Sequence, residues 1–213
     1  VHNSIPLNGF DNFFPTYQFL KALIKSVPDL RVDNDHLMII SPDEGAMSRA
    51  VYFSNILGVD MGMFYKRRDY TRIVNGRNPI VAHEFLGTSV EGKDMIIIDD
   101  MISSGESMLE VAAALKERKA NKIFVFSTFG LFTNGLDKFD KAYENGIIDK
   151  VLTTNLIYQT PELLQREWYI NCDMSKYIAY IIDTLNHDSS ISDLLNPNER
   201  IQNIVAKYKK GEL

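Results

Sequence analysis

Two adjacent carboxylates and the hydroxyl-rich turn that follows them are the residues of this sequence best suited to chemistry. Asp99 and Asp100 come directly after the apolar run Met95–Ile98, and the segment Ser103–Ser107 carries three serines around a glycine. Ligands of parallel sheets bind at the carboxyl ends of the strands, and a helix N-terminus offers unpaired N–H groups to an anion. The turn should therefore hold a phosphate, and the carboxylates could accept hydrogen bonds from sugar hydroxyls or hold a divalent cation. The alternative is that the serines only cap a helix and the acids end a strand in water.

The elements that must position these residues alternate along the chain. Short β-rich runs follow longer amphipathic runs, which is typical of βαβ units and a parallel sheet. The pattern predicts strands at residues 36–41, 61–65, 95–100, 123–127, 151–154 and 168–170. It predicts helices at residues 20–27, 46–57, 107–119, 136–145, 176–185 and 201–208. We therefore expect an α/β fold, a mostly parallel sheet flanked by helices, in a single domain over residues 1–213.

Composition narrows the functional class. The 213 residues include 23 Lys+Arg and 28 Asp+Glu, a net charge of −5, so sequence-independent nucleic-acid binding is not expected. Apolar runs such as Met95–Ile98 are far short of the roughly 20 residues that cross a bilayer, so we expect no membrane segment. Cys172 is the single cysteine, which excludes a disulfide framework and a multi-cysteine zinc site. These features predict a protein of the reducing cytoplasm.

Five segments occur in an order that resembles a known enzyme family. They are His2 with Asp11 nine residues later, Ser41–Ala50 (SPDEGAMSRA), Tyr65–Arg68 (YKRR), Gly87–Asp94 (GTSVEGKD) and Asp99–Ser107 (DDMISSGES). Each is similar to a motif of the ribose-phosphate pyrophosphokinase, or PRPP synthetase, family, and residues 151–155 and 191–195 match the end of that family in looser form. The resemblance runs from residue 2 to about residue 195 and depends on the order of the motifs. It implies the type I phosphoribosyltransferase fold.

The resemblance also implies a reaction. Members of the family transfer the diphosphoryl group of ATP to the 1-hydroxyl of ribose 5-phosphate and release AMP, with Mg²⁺, for nucleotide biosynthesis. Such chemistry requires positioning and charge neutralisation more than covalent catalysis. ATP and ribose 5-phosphate are the implied substrates. A homo-oligomer is the implied assembly, as a dimer or a hexamer-type ring.

Site residues follow from the matching motif positions. Lys66 and Arg68 match catalytic basic residues of a flexible loop, although a basic triplet alone would more often be a solvated turn. Asp43 and His2 match residues on the metal side of the site, although a lone histidine near a chain end would usually have no function. The ribose 5-phosphate site is implied at Asp99, Asp100, Ser103, Ser104, Gly105, Glu106 and Ser107. Arg49 also matches a loop arginine, but it could equally be an ion-pair partner on a helix surface, and we leave it out of the predicted site.

Several positions depart from the family pattern. Ser103 stands where the family has an acid, Glu106 where it has a glycine, and Ser107 where it has a threonine. Glu106 would weaken phosphate binding unless its side chain points to solvent. Ala46 replaces a glycine of the Ser41–Ala50 loop, which matters if the backbone there needs a positive φ.

Three hypotheses remain open. The family's enzymes have two similar domains in tandem, and this chain resembles the second, so we expect part of a synthetase that is inactive without its N-terminal domain. The altered serine-rich turn also suits a catalytically silent paralogue that regulates active subunits. A phosphoribosyltransferase that consumes PRPP is the third hypothesis, although no segment is evident that could cover a nucleobase.

Overall fold

The structure, a computed structural model, describes residues 11–68 and 80–212, with side chains at all of these positions except 66–68 and 80–83. Seven strands form one sheet in the order β3-β2-β1-β4-β5-β6-β7. All neighbours are parallel except β3, which runs antiparallel to β2. The strands are β1 Leu37–Ser41, β2 Met61–Arg68, β3 Ile80–Leu86, β4 Asp94–Ile102, β5 Ile123–Gly130, β6 Lys150–Thr154 and β7 Tyr169–Cys172.

Helices cover both faces of this sheet. They are α1 Thr16–Ser26, α2 Met47–Leu57, α3 Glu106–Glu117, α4 Asp137–Glu144, α5 Pro161–Leu164, α6 Ser175–Asn186, α7 Ser192–Leu195 and α8 Asn198–Lys209, with a 3₁₀ turn at Glu44–Ala46. Within the described residues, no helix is long and apolar enough to cross a bilayer.

The core explains why the central strand is an unbroken apolar run. Met95 and Ile97 pack with α3 and α4 on one face of the sheet. Ile96 and Ile98 pack with α1, α2 and α8 on the other. A strand buried on both faces has no polar side, as expected for a parallel sheet between helices.

The predicted fold class is confirmed, and each predicted helix and strand is present with ends shifted by a few residues. The prediction missed β3 and the two four-residue helices α5 and α7. It was also wrong to end β2 at Tyr65, because the strand continues to Arg68 and pairs with β3. Lys66 and Arg68 therefore lie in a strand and not in a polar connection.

The strand order creates a crevice at the centre of the sheet. From β1 the chain continues through α2 to β2 on one side, and it returns to β4 on the other side of β1. The order reverses between β1 and β4, and ligands of open α/β sheets bind outside the carboxyl ends of strands at such a point.

Candidate functional site

Asp99 and Asp100 lie in the carboxyl-terminal part of β4, at this crevice. The side chain of Asp99 is 25% exposed and that of Asp100 is 50% exposed. Asp99 Oδ1 accepts a hydrogen bond from the backbone N–H of Asp100 at 2.8 Å. This contact fixes the Asp99 carboxylate, whereas the Asp100 carboxylate is accessible to a ligand.

The charge environment of Asp99 is unfavourable to its ionised form. The pKa of Asp99 is raised to about 6, chiefly by burial and also by the negative charges of Asp100 and Asp43, while the hydrogen bond from the Asp100 N–H acts in the opposite direction. A carboxyl group moved out of water and placed near other carboxylates resists ionisation. Asp99 therefore changes charge closer to neutral pH than an exposed aspartate does.

Arg49, which we left out of the predicted site, is the cation that lies beside both acids. Its side chain is 8% exposed, Nη2 lies 3.3 Å from Asp99 Oδ1, and Nη1 lies 3.7 Å from Asp100 Oδ2. A partly buried carboxylate is costly without a nearby cation, which is the physical reason for the contact. Two consecutive acids at the end of a buried strand could have signalled the need for a cation.

Asp43 lies just after β1, on the other side of the crevice. Its Oδ1 accepts hydrogen bonds from the backbone N–H groups of Gly45, at 2.9 Å, and Ala46, at 3.2 Å. The hydroxyl of Ser41 donates to the Asp43 carbonyl oxygen at 2.7 Å. These bonds hold the loop after β1 so that the Asp43 charge acts on Asp99. We call Asp43, Arg49, Asp99 and Asp100 the acid cluster.

Ala46 does not distort this loop. Its φ is −90° and its ψ is −6°, a right-handed conformation that any residue adopts. The replacement of the family's glycine therefore requires no positive φ and leaves the position of Asp43 unstrained.

The segment Ser103–Ser107, the serine turn, connects β4 to α3. Gly105 has φ +79° and immediately precedes the helix, and a Cβ atom there would overlap the ring of Phe139. The Ser103 carbonyl oxygen accepts from the Thr133 N–H at 2.9 Å, which ties the turn to the segment after β5. Ser103 and Ser107 are exposed and Ser104 is half-buried, so the turn presents hydroxyl groups at a helix N-terminus.

Glu106 has its own cationic partner. Its exposed carboxylate forms an ion pair with Lys138 of α4. The negative charge that departs from the family pattern is thus compensated locally, which reduces its repulsion of an anion at the turn.

Three predicted site residues are not brought to the acid cluster by the described structure. His2 lies outside the described residues. The backbones of Lys66 and Arg68 lie in β2, where the pairing with β3 shifts register between Arg67 and Arg68. The side chains of Lys66 and Arg68 are outside the described part of the structure, and their roles stay predictions.

The described residues contain no group of three or more histidine, cysteine or acidic side chains arranged to hold a metal ion. Mg²⁺ commonly takes only one or two carboxylates and completes its coordination with water and substrate phosphates. The carboxylates of Asp43, Asp99 and Asp100 have the oxygen chemistry that this ion prefers. The donors therefore fit a magnesium ion that is held jointly with a substrate.

Comparisons with known proteins find relatives in one enzyme family. The family model described as "Phosphoribosyl synthetase-associated domain" matches residues 71–196, more than half of the chain. A ribose-phosphate pyrophosphokinase of Vibrio parahaemolyticus is 30% identical over 188 residues, which cover 87% of this chain and 54% of the relative. One of Shewanella oneidensis is 31% identical over 187 residues, with the same coverage. The chain spans about half the length of these curated relatives.

A solved structure supports the fold. The phosphoribosylpyrophosphate synthetase of Mycobacterium smegmatis superposes with a TM-score of 0.64 at 20% identity, over 82% of this chain and 51% of that chain. At this identity the likeness establishes the fold, which is that of the type I phosphoribosyltransferases.

Proposed function

Because the chain belongs to the ribose-phosphate pyrophosphokinase family, we propose that it carries the ribose 5-phosphate site of an enzyme that makes 5-phosphoribosyl 1-diphosphate. The reaction transfers the diphosphoryl group of ATP to the 1-hydroxyl of ribose 5-phosphate, with AMP as the second product. The observation that carries the proposal is the adjacency of the Asp99–Asp100 pair to the serine turn, with only two residues between them at the carboxyl end of one strand.

The two parts of this site bind different parts of the substrate. The carboxylates of Asp99 and Asp100 accept hydrogen bonds from ribose hydroxyls. The serine turn binds the 5-phosphate through backbone N–H groups at the start of α3 and through its hydroxyls. An anion at that position is stabilised because the helix N-terminus carries a partial positive charge.

The remaining predicted residues act on the diphosphate. Lys66 and Arg68 neutralise charge on the group that moves from ATP, and a positioned cation of this kind stabilises phosphoryl-transfer transition states. Asp43, with His2, would hold Mg²⁺ together with substrate oxygens. The bound ion would supply charge neutralisation at the diphosphate.

A silent regulatory subunit is the second candidate, and Ser103 favours it. This position has no carboxylate, whereas the family pattern has an acid there. Such a subunit would bind ribose 5-phosphate through the same residues and release no AMP.

Calorimetric titration with ribose 5-phosphate tests the binding site. Asp100→Asn should weaken binding about tenfold, because a neutral amide accepts weaker hydrogen bonds than a carboxylate. Asp35→Asn is the matched control and should leave the affinity unchanged. Asp35 is exposed and precedes β1, so it lies at the amino ends of the strands, away from the crevice. Equal affinity in wild type and Asp100→Asn would contradict the assignment.

Product analysis of the protein as it is encoded, with any further domain that it has, separates the functions. AMP formed from ATP and ribose 5-phosphate identifies a synthetase, and its loss in Lys66→Ala supports the role of the basic residues. Ribose 5-phosphate binding with no AMP under any condition identifies the silent subunit. Consumption of PRPP with a nucleobase, and no reaction with ATP, would overturn both.

A further inference from the structure

Arg49 connects the two sides of the crevice. It lies in the first turn of α2, which follows β1 and the Asp43 loop, and its guanidinium contacts the acids of β4, fifty residues away in sequence. Arginine is rarely buried without a partner. In this structure the partners are the two carboxylates assigned to the ribose.

The contacts of the Arg49 guanidinium restrict the orientation of both carboxylates. One guanidinium spans both acids, with Nη2 toward Asp99 and Nη1 toward Asp100. Asp99 Oδ1 receives both Arg49 and the Asp100 N–H, so its rotation is restricted from two directions. The planar fork of arginine suits this geometry, because its N–H groups leave in fixed directions.

Other features indicate that the role of Arg49 is to act on Asp99 and Asp100 and not to stabilise the core. Its Nε is buried and donates to no acceptor among the described residues. Its two contacts, at 3.3 and 3.7 Å, are longer than the 2.7–2.9 Å that is typical of optimal charged hydrogen bonds. Apolar side chains often replace buried ion pairs with no loss of stability. The positive charge of Arg49 is therefore better explained by its effect on Asp99 and Asp100 than by a contribution to the stability of the core.

We propose that Arg49 is a positioning residue of the ribose site, holding Asp99 and Asp100 in the orientation that accepts the ribose hydroxyls. The inference rests on the proposed function. The Arg49 side chain is buried, whereas the Asp100 carboxylate is half-exposed and accessible from solvent. Loss of Arg49 leaves two adjacent carboxylates without their cation, and they turn apart.

The test compares two sugars in one calorimetric series. Arg49→Gln should weaken binding of ribose 5-phosphate about tenfold, a loss typical of a charged hydrogen-bond network. Binding of 2-deoxyribose 5-phosphate, which lacks one hydroxyl for the acids, should weaken by no more than about threefold. Arg49→Lys should recover part of the lost affinity for ribose 5-phosphate, because lysine keeps the positive charge but lacks the planar guanidinium group.

Controls separate positioning from general damage. Arg166→Gln removes an Arg–Asp ion pair of 2.9 Å away from the acid cluster, and it should leave both affinities unchanged. Urea unfolding checks that each variant folds. If Arg49→Gln does not fold, Arg49→Lys alone should still show the larger loss for ribose 5-phosphate than for the deoxy sugar.

The results of these titrations test the positioning role of Arg49 separately from the proposed function. Equal weakening for both sugars, or no weakening, would overturn the positioning role while the proposed function stands. Failure of the wild-type protein to bind ribose 5-phosphate would overturn the proposed function and the inference together.

Discussion

The acid cluster consists of partly buried side chains, whereas the serine turn offers backbone groups and serine side chains that are largely exposed. In the acid cluster Arg49 lies beside Asp99 and Asp100, and Asp43 adds a negative charge that acts on Asp99. The serine turn depends on one left-handed glycine packed against Phe139. We therefore expect the serine turn to tolerate side-chain changes that leave Gly105 in place, and the acid cluster not to tolerate the loss of a charge. The family's glycine and threonine positions hold Glu106 and Ser107 in this turn, and Gly105 remains.

The largest effect is expected from the backbone of the turn. Gly105→Ala places a Cβ atom against Phe139 at a φ of +79°, so both strain and overlap should lower the free energy of unfolding by about 2–4 kcal/mol. Ribose 5-phosphate binding should be lost with it, because the start of α3 must shift. Urea unfolding and calorimetry measure both.

Gly146→Ala is the matched control for that variant. Gly146 also has a positive φ, of +67°, but nothing lies within 4 Å of a Cβ atom there. It should cost only the conformational strain, about 1–2 kcal/mol, and leave ligand affinity unchanged. Equal costs for the two variants would show that packing at Gly105 does not hold the turn.

A pH effect of intermediate size is expected from the acid cluster. The pKa of Asp99 is raised from 3.8 to about 6 in the folded protein, so between these values the folded state holds a proton that the unfolded chain has lost. By linkage, Asp99 adds to the free energy of unfolding as the pH falls from about 6 toward 4. Urea unfolding at several pH values should show this contribution in wild type and not in Asp99→Asn.

Ligand affinity should change in the opposite direction over the same range. A protonated Asp99 accepts a ribose hydroxyl less well, so ribose 5-phosphate binding should weaken below pH 6. The substrate phosphate also titrates near pH 6, and the comparison with Asp99→Asn separates the two effects. Identical pH profiles for wild type and this variant would remove Asp99 from the ribose contact.

The smallest effect is expected at Glu106. Because Lys138 compensates its charge and the side chain is exposed, Glu106→Gln should change ribose 5-phosphate affinity by less than about twofold, as exposed ion pairs contribute little. Calorimetry measures it directly, with Lys138→Gln as the companion variant. A tenfold gain in Glu106→Gln would mean that this carboxylate repels the phosphate after all.

The sequence predicted β4, α3 and the turn between them because those signals are local. An apolar run ends in acids, and a serine-rich segment begins a helix. The contact of Arg49 with Asp99 was not predicted, because it spans fifty residues and the spacing of residues along α2 does not show which of them faces β4. The extension of β2 was missed because Lys66–Arg68 are charged, whereas strand pairing with β3 depends on the backbone.

The central claim is that the acid cluster and the serine turn together bind ribose 5-phosphate. A crystal structure of the protein with that sugar tests it most directly. We expect the 5-phosphate to lie against the backbone N–H groups of residues 104–107, and the sugar hydroxyls to lie within hydrogen-bond distance of Asp99 and Asp100. A sugar bound elsewhere, or with its phosphate at the acid cluster, would contradict it.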